Sequence, residues 1–279
     1  MWKSEHRRAA DRRGLRYPND LSDAEWALVE PMIPPAKRGG RPRKVNLREV
    51  LNGLFYVLST GCQWDAVPKD LPPKSTLYDY FDLWVWDGTL QRIHDALYLA
   101  VREQAGRAGS PTAAIIDAQS AKGAQKGGPS LDPSGYDAGK KVKGRKRHIL
   151  VDTLGLLLNV VVHPADVQDR DGARLVLDRR TRSRFPNIKC IFADTNYQGA
   201  AMAAEVAKTG TWKLEVVKRA EPHRFVILPK RWIVERTFAW ISRCRRLAKD
   251  FERYARNAVA FIHLAMIRIM LRRLTAPST

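Results

Sequence analysis

The sequence predicts an α/β chain in which an all-helical N-terminal part precedes a mixed sheet flanked by helices. Three observations predict it. Up to Gln104 the apolar residues recur at helical spacing between capping signals. After Ala105–Pro111 (AGRAGSP) the pattern changes to short, β-rich apolar runs. Those runs come as three strands in a meander and then alternate with helical stretches, in the order β-β-β-α-β-α-β-α, which suits a mixed sheet with helices on its faces.

Leu21 to Ile33 begins with Ser22 three residues before Glu25, the spacing of a capping box, and runs helically to Pro34 and Pro35. A basic loop, Lys37 to Lys44, follows. Asn46 is placed to cap a second helix, Leu47 to Thr60, with Val50, Leu51, Leu54, Val57 and Leu58 on one stripe and Gly61 at its end. Ser75 is placed to cap a third helix carrying Leu77, Tyr80, Phe81 and Trp84. A fourth runs from Gly88 to Gln104. This part has the size of a small domain, 17–110, with 1–16 before it as a basic, solvated, flexible tail.

In the second domain, 111–279, Ala113 to Asp117 reads as a buried strand. Arg147–Val151 and Leu156–Val162 read as strands joined by the turn Asp152-Thr153-Leu154-Gly155. Asp171–Arg180 reads as helix, Ile188–Ala193 as strand, Ala200–Lys208 as helix and Trp212–Val217 as strand. Arg231 to about Phe251 reads as one long helix.

The charge narrows the partner. Over 279 residues, 49 Lys and Arg face 29 Asp and Glu, a net +20. The last 62 residues alone carry 15 basic and 4 acidic side chains. Such an excess points to a polyanion, nucleic acid before an anionic membrane surface. Three scattered cysteines exclude a disulfide scaffold and a cysteine-rich zinc site, and suit a reducing cytoplasm. The basic N-terminus has no apolar run behind it, and Val259–Leu271 is broken by His263 and Arg268 and too short to span a bilayer. A soluble protein with no membrane partner is expected.

Two segments share one design. Ile115-Ile116-Asp117 and Ile191-Phe192-Ala193-Asp194 each end an apolar strand on an aspartate. A buried strand end is an expensive place for a carboxylate unless a cation or hydrogen bonds compensate it. On neighbouring strands the two could converge on a metal ion; singly, each is a turn-opening residue. In Lys230–Trp240, Arg231 and Glu235 stand four residues apart on one helix face, the geometry of a surface ion pair as much as of a site.

These stretches, with others in the same order, resemble a bacterial insertion-sequence transposase of the DDE class, the insertion-sequence-five-like group. The resemblance runs through LSDAEWALVEPMIPPAKRGGRPRK, LREVLNGLFYVLSTGCQW and LPPKSTLYDYF, then IIDAQSAK, GYDAGKKVKGRKRHILVDTLGLLL, VQDRDGA, ADTNYQG and RWIVERTFAWISRCRRLAKDFE. It covers nearly all of the chain after Tyr17. It implies a ribonuclease-H-like catalytic domain and a helix-turn-helix-like N-terminal one. Asp117 and Asp194 match the family's two catalytic aspartates, Glu235 its third carboxylate, and Arg231 the arginine four residues before it. The chain departs from the pattern at Asn196, where a glycine is usual, and at Leu228 and Ser242, where a tyrosine and a basic residue are usual. Asparagine tolerates positive φ, so a left-handed turn at 196 is expected to survive.

The resemblance implies DNA cleavage and strand transfer at an element's terminal inverted repeats. Two divalent ions, Mg²⁺ or Mn²⁺, would sit roughly 3.5–4 Å apart to activate the attacking oxygen and stabilise the leaving one. Asp117 would bridge them, with Asp194 and Glu235 each holding one, since hard cations prefer carboxylate and water oxygens. Joining two ends to target DNA implies a homodimer on DNA. The basic run Lys140–His148, with Lys140, Lys141, Lys143, Arg145, Lys146 and Arg147, reads either as a solvated loop or as a loop gripping phosphates at the mouth of the site. Arg231 and Arg243 are further candidates for DNA contact, as are Lys74 and Tyr78 on the third helix, the candidate reader of the terminal repeats. His163, Asp166, Asp169 and Asp171 read as turn-forming and helix-capping residues rather than a metal cluster. Alternatives are a stand-alone metal-dependent nuclease of the same fold and a DNA-binding regulator with inert carboxylates.

Overall fold

In the computed structural model, which describes residues 11–36, 39, 42–124, 131–208, 212–216 and 230–276, the first helix opens on the expected capping box. Ser22 Oγ accepts from Glu25 N–H while the Glu25 carboxylate accepts from Ser22 N–H. α1 (Asp23–Val29) passes into a 3₁₀ turn, Glu30–Met32. Asn46 caps α2 (Leu47–Thr60) by accepting from the N–H groups of Arg48 and Glu49. Gly61 ends α2 at a φ of 68°, where a Cβ would also lie 3.0 Å from the backbone of Arg245. The stripe from Val50 to Leu58 is fully buried. α3 (Lys74–Trp86) starts one residue before Ser75, directly after Pro73 and with no side-chain cap, and α4 (Thr89–Gln104) follows.

The chain divides into two units. The first comprises Met1–Ala105, Cys244–Leu247 and Ala260–Thr279, the second Gly106–Arg243 and Ala248–Val259. The sequence reading runs the second domain unbroken from 111 to 279, whereas residues 260–276 pack with the N-terminal helices. The reason is apolar: Phe261 stacks on Phe81 at 4.7 Å and lies 6.3 Å from Trp64, and Ile262, Ala265 and Met266 are buried. The end of the expected tail is also anchored. Arg12 grips Glu25 with both guanidinium nitrogens at 2.9 and 2.7 Å, and Arg16 pairs with Glu49 at 2.7 Å and Asp20 at 3.1 Å. A buried Glu25 needs that partner. Residues 1–10 lie outside the described residues.

The second unit is a six-stranded mixed sheet. Its strands are β1 (Ala113–Lys122), β2 (Gly135–Asp137), β3 (Val142–Asp152), β4 (Leu157–Pro164), β5 (Cys190–Ala193) and β6 (Lys213–Val216). They lie in the order β4-β3-β1-β5-β6, with β3 antiparallel and β5 and β6 parallel to their neighbours, the ribonuclease-H-like arrangement. β2 extends the row on the β4 edge of β3. α5 (Asp169–Val176), α6 (Arg179–Arg184) and α7 (Ala200–Lys208) connect the later strands. Asp152 turns the β3–β4 hairpin by accepting from the N–H groups of Leu154 and Leu156.

Three expectations are revised. β1 does not stop at Asp117 but continues to Lys122, because β3 goes on pairing with it after β5 has ended. The basic run 140–148 is not a loop: from Val142 it is β3. The expected long helix is α8 (Arg231–Ser242) and a short α9 (Arg245–Ala248); α10 (Ala255–Leu274) follows separately. Between α9 and α10 the chain runs alongside the end of β1. Asp250 N–H donates to the Lys122 carbonyl, and Ala124 N–H donates to the Asp250 carbonyl. Among the described residues no helix is long and apolar enough to cross a membrane.

Candidate active site

β1 and β5 run parallel in the register Ala113↔Cys190, Ala114↔Ile191, Ile115↔Phe192. Two residues beyond the last pair, on the same face, come Asp117 and Asp194. Both aspartates and Arg231 line a narrow cleft with Ile115, Phe192 and Ala193. α8 packs against β1 and β3, which brings Arg231 and Glu235 to the same end of the sheet. Arg231 spans the two remaining carboxylates: Nη2 lies 3.6 Å from Asp194 Oδ2, and Nε lies 3.3 Å from Glu235 Oε1.

The two aspartates differ in how they are held. Asp117 accepts from Ala118 N–H at 2.7 Å. Burial, reinforced by the charge of Asp194, lifts its carboxyl to about 6 against the opposing pull of that N–H, Arg231 and Lys140. Asp194 caps a 3₁₀ turn, Thr195–Tyr197, and accepts from Asn196 twice, from its backbone N–H at 2.9 Å and its side-chain amide at 3.3 Å. The expected left-handed turn at Asn196 is absent. Positive φ among described non-glycine residues occurs at Lys141 and Lys230. Asn196 is right-handed because its amide has the Asp194 carboxylate to bind.

The raised carboxyl of Asp117 is a stability statement. Because it holds its proton more tightly folded than unfolded, the folded state loses stability as pH rises from 3.8 to about 6. Above that window the full penalty of the buried charge remains. Asp117→Asn keeps the Ala118 contact and removes the charge, so it is expected to stabilise the metal-free protein at pH 7.5 by about 3 kcal/mol. The gain should shrink towards pH 4. Urea unfolding in EDTA measures it; a variant less stable than wild type at pH 7.5 would contradict the assignment.

The oxygen-rich donor set of Asp117, Asp194 and Glu235 fits a hard divalent cation, which would also relieve the strain on Asp117. Among the described residues, however, no three His, Cys, Asp or Glu side chains already stand close enough to hold a metal. The cation between the carboxylates is Arg231.

Half of the basic run faces inward, a correction to its reading as a phosphate-gripping loop. Arg145 is 1% exposed; its Nε lies 3.5 Å from Asp250 Oδ2, and it donates to the carbonyls of Asp132 at 3.0 Å and Arg253 at 2.7 Å. Lys146 pairs with Asp169 at 2.8 Å and donates to the Val167 carbonyl at 2.7 Å. Arg147 is buried, and burial pulls it down to about 10 against Asp250 and Glu252. Strand pairing on both edges leaves these three inside the unit, so none is a surface for DNA. Lys140, Lys141 and Lys143 are exposed. Lys140 Nζ donates at 3.1 Å to the Ala118 carbonyl, one residue from Asp117, from a turn whose N–H Asp137 accepts. Arg243, at the end of α8, is exposed. In the helical unit Lys74 pairs with Asp65, and the half-exposed Tyr78 packs edge-on against Trp64 at 5.4 Å.

Some polar residues escaped the sequence reading. His148 and His163 form a buried pair, Nδ1 to Nε2 at 2.7 Å; burial disfavours the charging of both, aided at His148 by the neighbouring His163 and at His163 by the charge of Lys146. α5 can lie over them only because residue 172 is glycine, whose Cβ would sit 2.3 Å from His148. Asp169 serves Lys146 rather than capping α5, which has no side-chain cap. Tyr197 is fully buried, and its hydroxyl has no hydrogen-bond partner among the described residues. Its place in ADTNYQG was the signal that could have marked it.

The chain is similar to known proteins along most of its length. The family model described as "Transposase DDE domain" matches residues 108–270, more than half of the chain, and one described as "Putative transposase of IS4/5 family" matches residues 21–94. Two curated proteins of Burkholderia cepacia are similar. One is named as an uncharacterized 16.2 kDa protein of insertion element IS402, 32% identical over 29% of this chain and 60% of its own length. The other is named as a putative transposase for insertion sequence element IS402, 29% identical over 50% of this chain and 67% of its own. No solved structure matches. With a family match over residues 108–270, more than half of the chain, the chain belongs to the insertion-sequence transposases that carry a DDE domain.

Proposed function

We propose that the chain cuts DNA at the terminal inverted repeats of its own insertion sequence and joins the freed 3′ ends to target DNA, with Asp117, Asp194 and Glu235 as the ligands of two Mg²⁺ or Mn²⁺ ions. The observation that carries this reading is the meeting of Asp117 and Asp194 at one register level on neighbouring parallel strands, with Arg231 and Glu235 delivered beside them by α8. When bound, the ions would activate the attacking oxygen and stabilise the leaving one.

The residues of the chain prepare that chemistry. Asn196 fixes the plane of the Asp194 carboxylate through two hydrogen bonds. The apolar walls of Ile115 and Phe192 keep water from Asp117 and strengthen every charge interaction around it. Lys140, anchored on the Ala118 carbonyl, presents an ammonium where a phosphate beside Asp117 would lie. Lys141, Lys143 and Arg243 extend the cationic rim, and the helical unit, with Lys74 and Tyr78 on α3, reads the repeats. Pairing of two ends calls for a homodimer on DNA, acting in the bacterial cytoplasm at the nucleoid. A stand-alone nuclease would cut without joining, and an inert regulator would do neither.

The test is an incubation of the full chain with a duplex from the element's terminus. Cut and joined products are expected in Mg²⁺ and none in EDTA; cutting without joining would favour the nuclease. Binding should weaken steeply with salt. Lys140→Ala and Lys143→Ala should each lower the slope of log affinity against log salt by about one, while a slope unchanged in both would remove these lysines from the interface.

A further inference from the structure

We propose that Arg231 occupies the cation position between Asp194 and Glu235 until bound DNA draws it away, so that DNA binding and divalent-ion binding strengthen each other. This rests on the metal-site reading of the three carboxylates. Three observations lead to it. Arg231 lies within ion-pair distance of both Asp194 and Glu235, and its charge also reaches Asp117. Both oxygens of Asp194 are engaged. Oδ1 takes the Asn196 N–H, while Oδ2 faces both the Asn196 amide and Arg231. Yet the guanidinium itself is incompletely satisfied, for its buried Nε lies near Glu235 without an aligned acceptor among the described residues.

A fixed positive charge among the carboxylates opposes a second cation there by direct repulsion. A phosphodiester offers that guanidinium what the two carboxylates do not, a single planar pair of oxygens matched to its fork. Arg231 is 29% exposed and stands on the first turn of α8, so its side chain can turn towards solvent without moving the helix. Once it does, Glu235 and Asp194 Oδ2 are released towards Asp117. Linkage then requires reciprocity: whatever factor DNA adds to metal affinity, metal adds to DNA affinity. The device keeps the site weakly loaded away from DNA, which limits stray hydrolysis.

Calorimetric titration of Mn²⁺ into the full chain tests this. It is done with and without a blunt duplex ending at the element's terminal nucleotide, so that no terminal bond remains to be cut. Wild type is expected to bind Mn²⁺ about tenfold more tightly with the duplex, inside the usual range of coupling between sites. Arg231→Gln should bind Mn²⁺ about tenfold more tightly than wild type without DNA and gain little from adding it. Arg231→Lys, which keeps the charge, should stay weak without DNA. A natively folded Arg231→Gln with unchanged or weaker Mn²⁺ affinity overturns the inference, as does a wild type indifferent to DNA. Asp117→Asn separates the two claims. If it loses Mn²⁺ while Arg231→Gln gains none, only the role of Arg231 falls; if it titrates like wild type, the metal-site reading falls.

Discussion

Glu235→Ala is expected to abolish cutting and joining while leaving binding of the element's ends within about twofold of wild type. The side chain is 58% exposed and, among the described residues, pairs with Arg231, which also faces Asp194, so its removal leaves Arg231 a partner. Stability should therefore move by no more than about 0.5 kcal/mol, as for most surface changes. Activity should fall by more than the roughly 10–100-fold that follows loss of an outer partner in a metal site, because here a ligand itself is removed. Gel-shift binding, thermal unfolding and product formation in Mg²⁺ separate the three effects. Normal joining by this variant would end the assignment of Glu235.

Arg145→Ala should have the largest effect on the fold. Its guanidinium is buried, lies beside Asp250 and donates to the backbone carbonyls of Asp132, Pro133 and Arg253, so the substitution leaves buried acceptors without their donor. Breaking one side of such a buried pair costs about 3–5 kcal/mol. Lys143→Ala, two residues earlier but exposed, should cost less than about 0.5 kcal/mol. Urea unfolding of the two variants compares them directly. A stable Arg145→Ala protein with specifically weakened DNA binding would return Arg145 to the DNA surface.

That contrast shows where the sequence could be read and where it could not. Periodicity and capping marked the helices of the first unit, because Ser22 with Glu25 and Asn46 before its apolar stripe act locally. The matched pair of strand-end aspartates was legible for the same reason: an apolar run ending on a carboxylate is a local anomaly. The inward basic residues were not legible. Arg145, Lys146 and Arg147 find their partners at Asp250, Asp169 and Glu252, far away along the chain, and nothing in KKVKGRKRH announces them. The packing of residues 260–276 with the N-terminal helices was hidden likewise, since an apolar helix does not declare which unit it completes. Asn196 misled in a third way. Its tolerance of positive φ was real, but a neighbouring carboxylate outweighed it.

The charge also looks different once placed. The last 62 residues hold 15 basic side chains, but Arg246 is buried and donates to the Cys62 carbonyl, and Arg268 is half-buried, which pulls it down; Arg272 stays exposed and donates to the Pro18 carbonyl at 3.3 Å. Arg231 already has two carboxylates. The cations that face outward in the second unit are fewer, and Lys140 and Arg243 stand among them.

Metal-directed cleavage of the chain tests whether Asp117, Asp194 and Glu235 together hold the divalent ions. Fe²⁺ in place of Mg²⁺, with ascorbate and peroxide, generates radicals that cut the backbone next to the bound ion. Cuts are expected at three places distant in sequence, around Asp117, around Asp194 and at the start of α8. Excess Mg²⁺ should suppress them, and Asp117→Asn should lose them. Cuts elsewhere, or the same cuts in Asp117→Asn, would contradict the account.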